Sequence, residues 1–202
     1  NVEVVVQEGN QRAMTEMLRE DQLDLMLCNL VNQEGELEYE HLCWDPVIFL
    51  VQSAHPCCRY ARYRDTFYHP WIDLREFEQE IFILQHQGQS LRQYSDQLLE
   101  EAGLSPQRIT QIRNIETAAQ MAANGLGVSF CLESYFRHMM FIQPPYRFSV
   151  GERQLAADFS AAYRRGRQLP EYTVQFIHLL KNLMEMEVGR MVEMDKSVNK
   201  NL

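Results

Sequence analysis

The chain has 202 residues, of which 46% are hydrophobic and 23% charged, an ordinary soluble globular composition for one large domain or two small lobes. Its net charge of −9 and its single modest basic run, YRRGR (163–167), exclude the clustered Lys and Arg on which duplex binding by this chain alone would depend. No apolar run approaches the ~20 residues of a membrane span, and no signal peptide opens the chain.

The chain starts without Met, inside the strand-like run VEVVV (2–6), as a cut N-terminus would. Asn10 is placed to cap a helix that brings Met14, Met17 and Leu18 to one face. LDLMLC (23–28), PVIFLV (46–51) and EIFIL (80–84) read as further strands. From Ser90, residues Leu91, Tyr94, Leu98 and Ala102 take helical spacing, stopped by Gly103 and Pro106. RITQI (108–112) is the next strand. Ile115, Ala118, Ala119 and Ala122 then recur at i, i+3, i+4 and i+7, a narrow face of small residues that lets a helix lie close to a sheet. Asn114 caps that helix, Gly125 supplies its left-handed end, and Gly127 opens the strand VSFCL (128–132). The last helix begins near Pro170 with Tyr172, Phe176, Leu179, Leu180 and Leu183 on its expected buried face, and a polar tail follows. Continuous apolar strands alternating with helices predict an α/β fold with parallel sheets covered on both faces.

The side-chain chemistry argues against catalysis. Six histidines show no metal spacing, and neither HExxH nor GxSxG occurs. Glu116 sits in a first helical turn, where a carboxylate complements the dipole. His86 near Ser90 has no orienting acid in the pattern. Five cysteines, an odd number with no CxxC pair, fit neither a disulfide framework nor a structural zinc site and suit a reducing cytoplasm. No metal, cofactor or enzymatic activity is expected.

The segments VEVVVQEGN, LREDQLDLMLC, DPVIFLVQSAHP, IDLREFEQEIFILQHQGQSLRQYSDQLLEEAGLSP and NIETAAQMAANGLGVSFCLES occur in the order seen in LysR-type transcriptional regulators. From Val2 to Leu183 the chain resembles the C-terminal effector-binding domain of that family, which is itself similar to type 2 periplasmic binding proteins. The resemblance implies two Rossmann-like lobes joined by crossing strands: residues 1–42 and 148–185 form lobe I, 43–147 form lobe II, and 186–202 a polar tail. The first strand and helix of lobe I are missing from the chain by this comparison. A small effector would bind between the lobes. DNA would be bound only by an absent N-terminal winged helix-turn-helix, and the domain would assemble as a homodimer or tetramer in the cytoplasm without contact to membrane. In the family, the helix that carries Ile115, Ala118, Ala119 and Ala122 pairs with the missing one, and Ala118, Ala119 and Ala122 need partners on one face. A transport solute-binding protein with the same fold is the alternative.

The chain departs from the family pattern at Asp21 (usually Gly), at Leu132 and Glu133 (frequently Pro and Arg), at Cys57 and Cys58, and in a long aromatic loop over 57–71. Ser90 and Leu99 stand where peroxide-sensing members carry a cysteine pair, which excludes that design. The effector-contact candidates are Gln85, Gln87, Ser90, Asn114 and Ile115 on lobe II and Asn10 and Asn29 on lobe I, with Cys131 at a strand end. Uncharged donors at two helix N-termini suit a small organic acid or amino acid, its carboxylate near Ser90 and Asn114.

Overall fold

The computed structural model of the chain describes residues 2–198. Strand β1 (Met26–Leu30) pairs with β7 (Ala156–Arg164), which pairs in turn with β2 (Leu37–Val51), all antiparallel. Past a bulge at His41/Cys43, β2 continues into a second sheet, where it meets β5 (Val128–Leu132) and β6 (Tyr146–Phe148). Parallel strands β3 (Ile81–Leu84) and β4 (Arg108–Gln111) complete that sheet in the order β2-β5-β3-β4. Strands β2 and β7 thus pass between two lobes, each built on its own sheet.

The strand periodicity of two decides which helix covers which face. In the second lobe Val47, Phe49 and Val51 look one way, into a core shared with Leu91 and Leu98 of α2 (Ser90–Glu101). Ile48 and Leu50 look the other way, onto Ala119 and Ala122 of α3 (Ile115–Ala123). In the first lobe, Ala162 packs under Leu18 of α1 (Gln11–Arg19). Its neighbour Ala161 packs under Ile177 of α5 (Glu171–Val198). A short helix α4 (Glu133–His138) follows β5. Ala118, Ala119 and Ala122 of α3 are all fully buried within the chain, Ala119 and Ala122 of them against Ile48 and Leu50 of the sheet.

Three expectations change. Val2–Val6 forms no strand; Val4, Val5 and Val6 are 76%, 72% and 81% exposed, because no described strand lies beside them to supply a ladder. On α5 the buried face is Thr173 and Ile177 with partly buried Leu180, whereas Tyr172, Phe176, Leu179 and Leu183 are exposed. Both sets have helical spacing, so periodicity alone could not choose between them. The expected tail is helical as far as Val198, and residues 199–202 lie outside the described part. The sequence also missed the first half of β2, where Glu38 to His41 are only half buried and the apolar signal is weak. Asp21, where the family usually has Gly, takes the left-handed conformation at φ 57°.

Candidate functional site

Because β3, β4 and β5 are parallel, their C-terminal ends and the N-termini of α2, α3 and α4 share one edge of the second lobe. Such an edge offers free backbone N–H groups and is where open α/β sheets form their crevices. Gln85, immediately after β3, is fully buried, and neither of its side-chain amide atoms has a hydrogen-bond partner. Buried polar groups are nearly always paired, so this one stands out. Arg92, also buried, donates from Nη1 to the Gln85 carbonyl at 3.0 Å and from Nε to Asp96 at 2.7 Å, which fixes the backbone of the turn.

The turn is laced to the next connection through Gln89. Its Oε1 accepts from the His86 N–H at 3.1 Å, and its Nε2 donates to the Arg113 carbonyl at 3.1 Å. Gln89 holds the cap position of α2 without a side-chain cap bond, and Ser90 is the first helical residue and half-buried. Asn114 does cap α3, accepting from the Thr117 N–H at 2.8 Å, and Asn10 caps α1 likewise through Ala13 at 2.9 Å. Both are exposed, as is Gln87, while Ile115 is half-buried against the core of the lobe. Cys131 is fully buried among Ile48, Leu50, Ala119 and Ala122, and burial pushes its thiol up to about 12, so it is a core residue. Asn29 lies on β1 with its Oδ1 buried and unpartnered. The structure therefore brings Gln85, Gln87, Ser90, Asn114 and Ile115 to one edge, and leaves Cys131 in the interior.

Between the lobes lies a pocket of about 320 Å³, lined on the first lobe by Gln11, Arg12, Thr15 and Asn32 and on the second by Gly88 and Gln93. The Tyr94 hydroxyl, from the second turn of α2, crosses from one lobe to the other and donates to the Leu30 carbonyl at 2.7 Å. Beside Leu30 in the sheet is Asp158, whose Oδ1 receives His41 Nδ1 and Ser160 Oγ, each at 2.7 Å. At the start of α4, the buried Glu133 carboxylate is held by His69 Nε2 at 2.8 Å, Arg137 Nε at 3.1 Å and Arg147 Nη1 at 2.6 Å. Sequence reasoning missed Arg92, Tyr94 and Asp158; only the Arg92–Asp96 spacing left a readable trace, as an i,i+4 ion pair.

Among the described residues no group of three His, Cys, Asp or Glu side chains could hold a metal ion, and no helix is long and apolar enough to cross a membrane. Vicinal Cys57 and Cys58 donate to different carbonyls, of Glu76 and Gln52, and burial pushes both thiols up, Cys58 to about 11. Thiols held protonated in this way are poor nucleophiles.

The model of the LysR substrate binding domain matches residues 1–185. The chain belongs to this family. LysR-domain relatives among curated proteins include an uncharacterized HTH-type transcriptional regulator, YybE, of Bacillus subtilis (strain 168). It is 28% identical over 129 residues, which are 64% of this chain and 41% of that protein. The HTH-type transcriptional regulator CfxR of Cupriavidus necator is 23% identical over 128 residues, 63% of this chain and 38% of its own. The chain thus spans well under half the length of either regulator. Its fold is that of solved LysR domains. The regulatory domain of Synechocystis PCC6803 CcmR in complex with 2-PG superposes with a TM-score of 0.70 at 18% identity, covering 86% of this chain and 79% of that one. The BenM effector binding domain with benzoate gives 0.71 at 16% identity, covering 91% and 78%.

Proposed function

We propose that this domain senses a small organic acid or amino acid in the cleft between its lobes, and that occupancy controls DNA binding by a separate winged helix-turn-helix. The observation that carries the reading is Gln85. A fully buried amide with both ends unpaired among the described residues, behind two helix N-termini, is costly and is stabilised by a partner that completes it. Gln87, Ser90, Asn114 and Ile115 share its edge, and Asn10 and Asn29 belong to the facing lobe. A carboxylate fits the free N–H groups of those helix ends better than a cation does. The solved relatives that hold 2-PG, benzoate and shikimate support a ligand of this size and kind. The lobes divide at 1–42 with 148–185 and at 43–147, and effector binding shifts their relative population of arrangements. We assign the domain to a cytoplasmic regulator that works as a homodimer or tetramer and carries no catalytic activity.

The test is thermal-shift screening followed by calorimetric titration against a library of organic acids and amino acids. Ser90→Ala should weaken the selected ligand by about tenfold to a hundredfold, the loss of one charge-assisted hydrogen bond of roughly 1.5–3 kcal/mol. Gln85→Leu should abolish binding yet raise the unfolding free energy of the empty domain by about 1–3 kcal/mol, since it removes an unsatisfied buried amide. Stabilisation by cationic or wholly apolar compounds alone would refute the reading. So would unchanged affinity in Ser90→Ala together with a destabilised Gln85→Leu.

A further inference from the structure

The cleft wall and the sheet beside it carry two charges of opposite sign, Arg12 and Asp158, whose hydrogen-bonding capacity is not filled by the described residues. Arg12, on its first-lobe wall, takes part in none of the ion pairs among the described residues. Its helix neighbour Arg19 is by contrast committed to Glu16, Glu34 and Glu36. Asp158 provides the negative charge. Register puts it on the same face of β7 as Ser160 and Ala162, the face that α1 covers through Leu18. It does not itself line the pocket; its ladder partner Leu30 precedes Val31, and the Tyr94 that bonds Leu30 follows Gln93, both of them pocket-lining. Only Oδ1 of Asp158 is occupied, by His41 and Ser160; Oδ2 has no hydrogen bond among the described residues, and the side chain keeps 24% of its surface accessible.

The groups around Asp158 complete a set of acceptors. The Tyr94 hydroxyl spends its proton on the Leu30 carbonyl, and its oxygen already takes a backbone hydrogen bond from Asp158, which leaves one lone pair as an acceptor. Trp44, the cross-strand partner of Asp158 on the other side, shares its face and is 57% exposed, an aromatic surface that attracts cations. A carboxylate, a phenol oxygen and an indole face at the junction of the two lobes suit an ammonium group and repel a second carboxylate. We infer that the cleft recognises a zwitterion, a 2-amino acid whose ammonium is held by Asp158 with Tyr94 and Trp44 while its carboxylate takes the helix ends and Arg12. This inference rests on the proposed effector cleft and narrows its ligand class, with Asp158 as the residue that sets specificity.

The experiment titrates the chain at pH 7.5 with the standard amino acids and with the 2-hydroxy acids carrying the same side chains. An amino acid should bind, and its hydroxy counterpart should bind at least about tenfold more weakly, the loss of one charged hydrogen-bond partner. Asp158→Asn should cancel that ratio by weakening the amino acid while leaving the hydroxy acid where it was. Tyr94→Phe, which keeps the ring, should reduce the ratio in part, and circular dichroism on both variants reports that they fold. Equal or tighter binding of hydroxy acids, or an unaltered ratio in Asp158→Asn, overturns the inference. If hydroxy acids bind and Gln85→Leu abolishes it, the cleft stands and only its ligand class was misassigned. Binding by neither series overturns the inference, while the cleft reading is decided by the wider acid library.

Discussion

Glu133→Gln lowers the unfolding free energy by about 3–5 kcal/mol, the usual cost of removing one member of a buried ionic network. The carboxylate is 1% exposed and is the shared acceptor of His69, Arg137 and Arg147, so a neutral amide leaves three donors facing half a partner. Burial by itself would raise its pKa; the His69 hydrogen bond and charge, then Arg147 and Arg137, outweigh it and hold the group at about 2, below the ordinary 4.5. A group depressed on folding contributes stability that is fully present above the unfolded value. That contribution should fade as pH falls from about 4.5 towards about 2. Urea unfolding of wild type and Glu133→Gln across this range gives the check: the difference between them should shrink as the solution is acidified. A difference that is constant down to the lower limit would mean that packing, and not charge, holds this corner together. The network also ties the start of α4 to β6 and to the loop before β3, which anchors the lobe II end of the crossing strands.

Gly127→Ala should cost roughly 2–5 kcal/mol, combining backbone strain with overlap. Its φ is 151°, and a Cβ there would sit 2.3 Å from the Ile81 carbonyl oxygen, a backbone atom of β3 that cannot move without breaking the sheet. Gly125→Ala meets only the end of the Gln52 side chain, at 2.6 Å, which can swing aside. Its left-handed φ of 75° then leaves a smaller cost of about 1–2 kcal/mol. Thermal or urea unfolding should rank the pair in that order, and neither change should alter which ligand the domain prefers. The reverse ranking would show that β3 yields more easily than its pairing to β5 implies.

The two glycines illustrate what a sequence can reveal. A helix of alanines followed by Gly-Leu-Gly and an apolar run specifies its own turn, because the constraint is local and only glycine meets it. Asn10 and Asn114 were readable as caps for the same reason. The two faces of α5 were not distinguishable, since Tyr172 and Thr173 begin stripes of equal spacing and only the sheet beneath selects one. The unpaired Val2–Val6 shows the same dependence for strands: apolar content proposes a strand, but a neighbour makes it. At the site, the edge formed by Gln85, Ser90 and Asn114 followed from parallel-sheet topology. Tyr94 meeting Leu30, and Asp158 beneath them, are contacts across 64 residues or more that no periodicity encodes.

Where a ligand sits decides the central claim most directly. The outer side of lobe II offers a second pocket of about 390 Å³, between the end of α2 and β4, lined by Leu99, Leu104, Pro106 and Ile109. Hydrogen exchange of the chain with and without a stabilising acid or amino acid separates the two locations. The cleft reading predicts new protection in the turns that follow β3 and β4, over 86–93 and 112–118, and in α1 around Arg12 and Thr15. Protection confined to 99–109, with those turns unchanged, would contradict it.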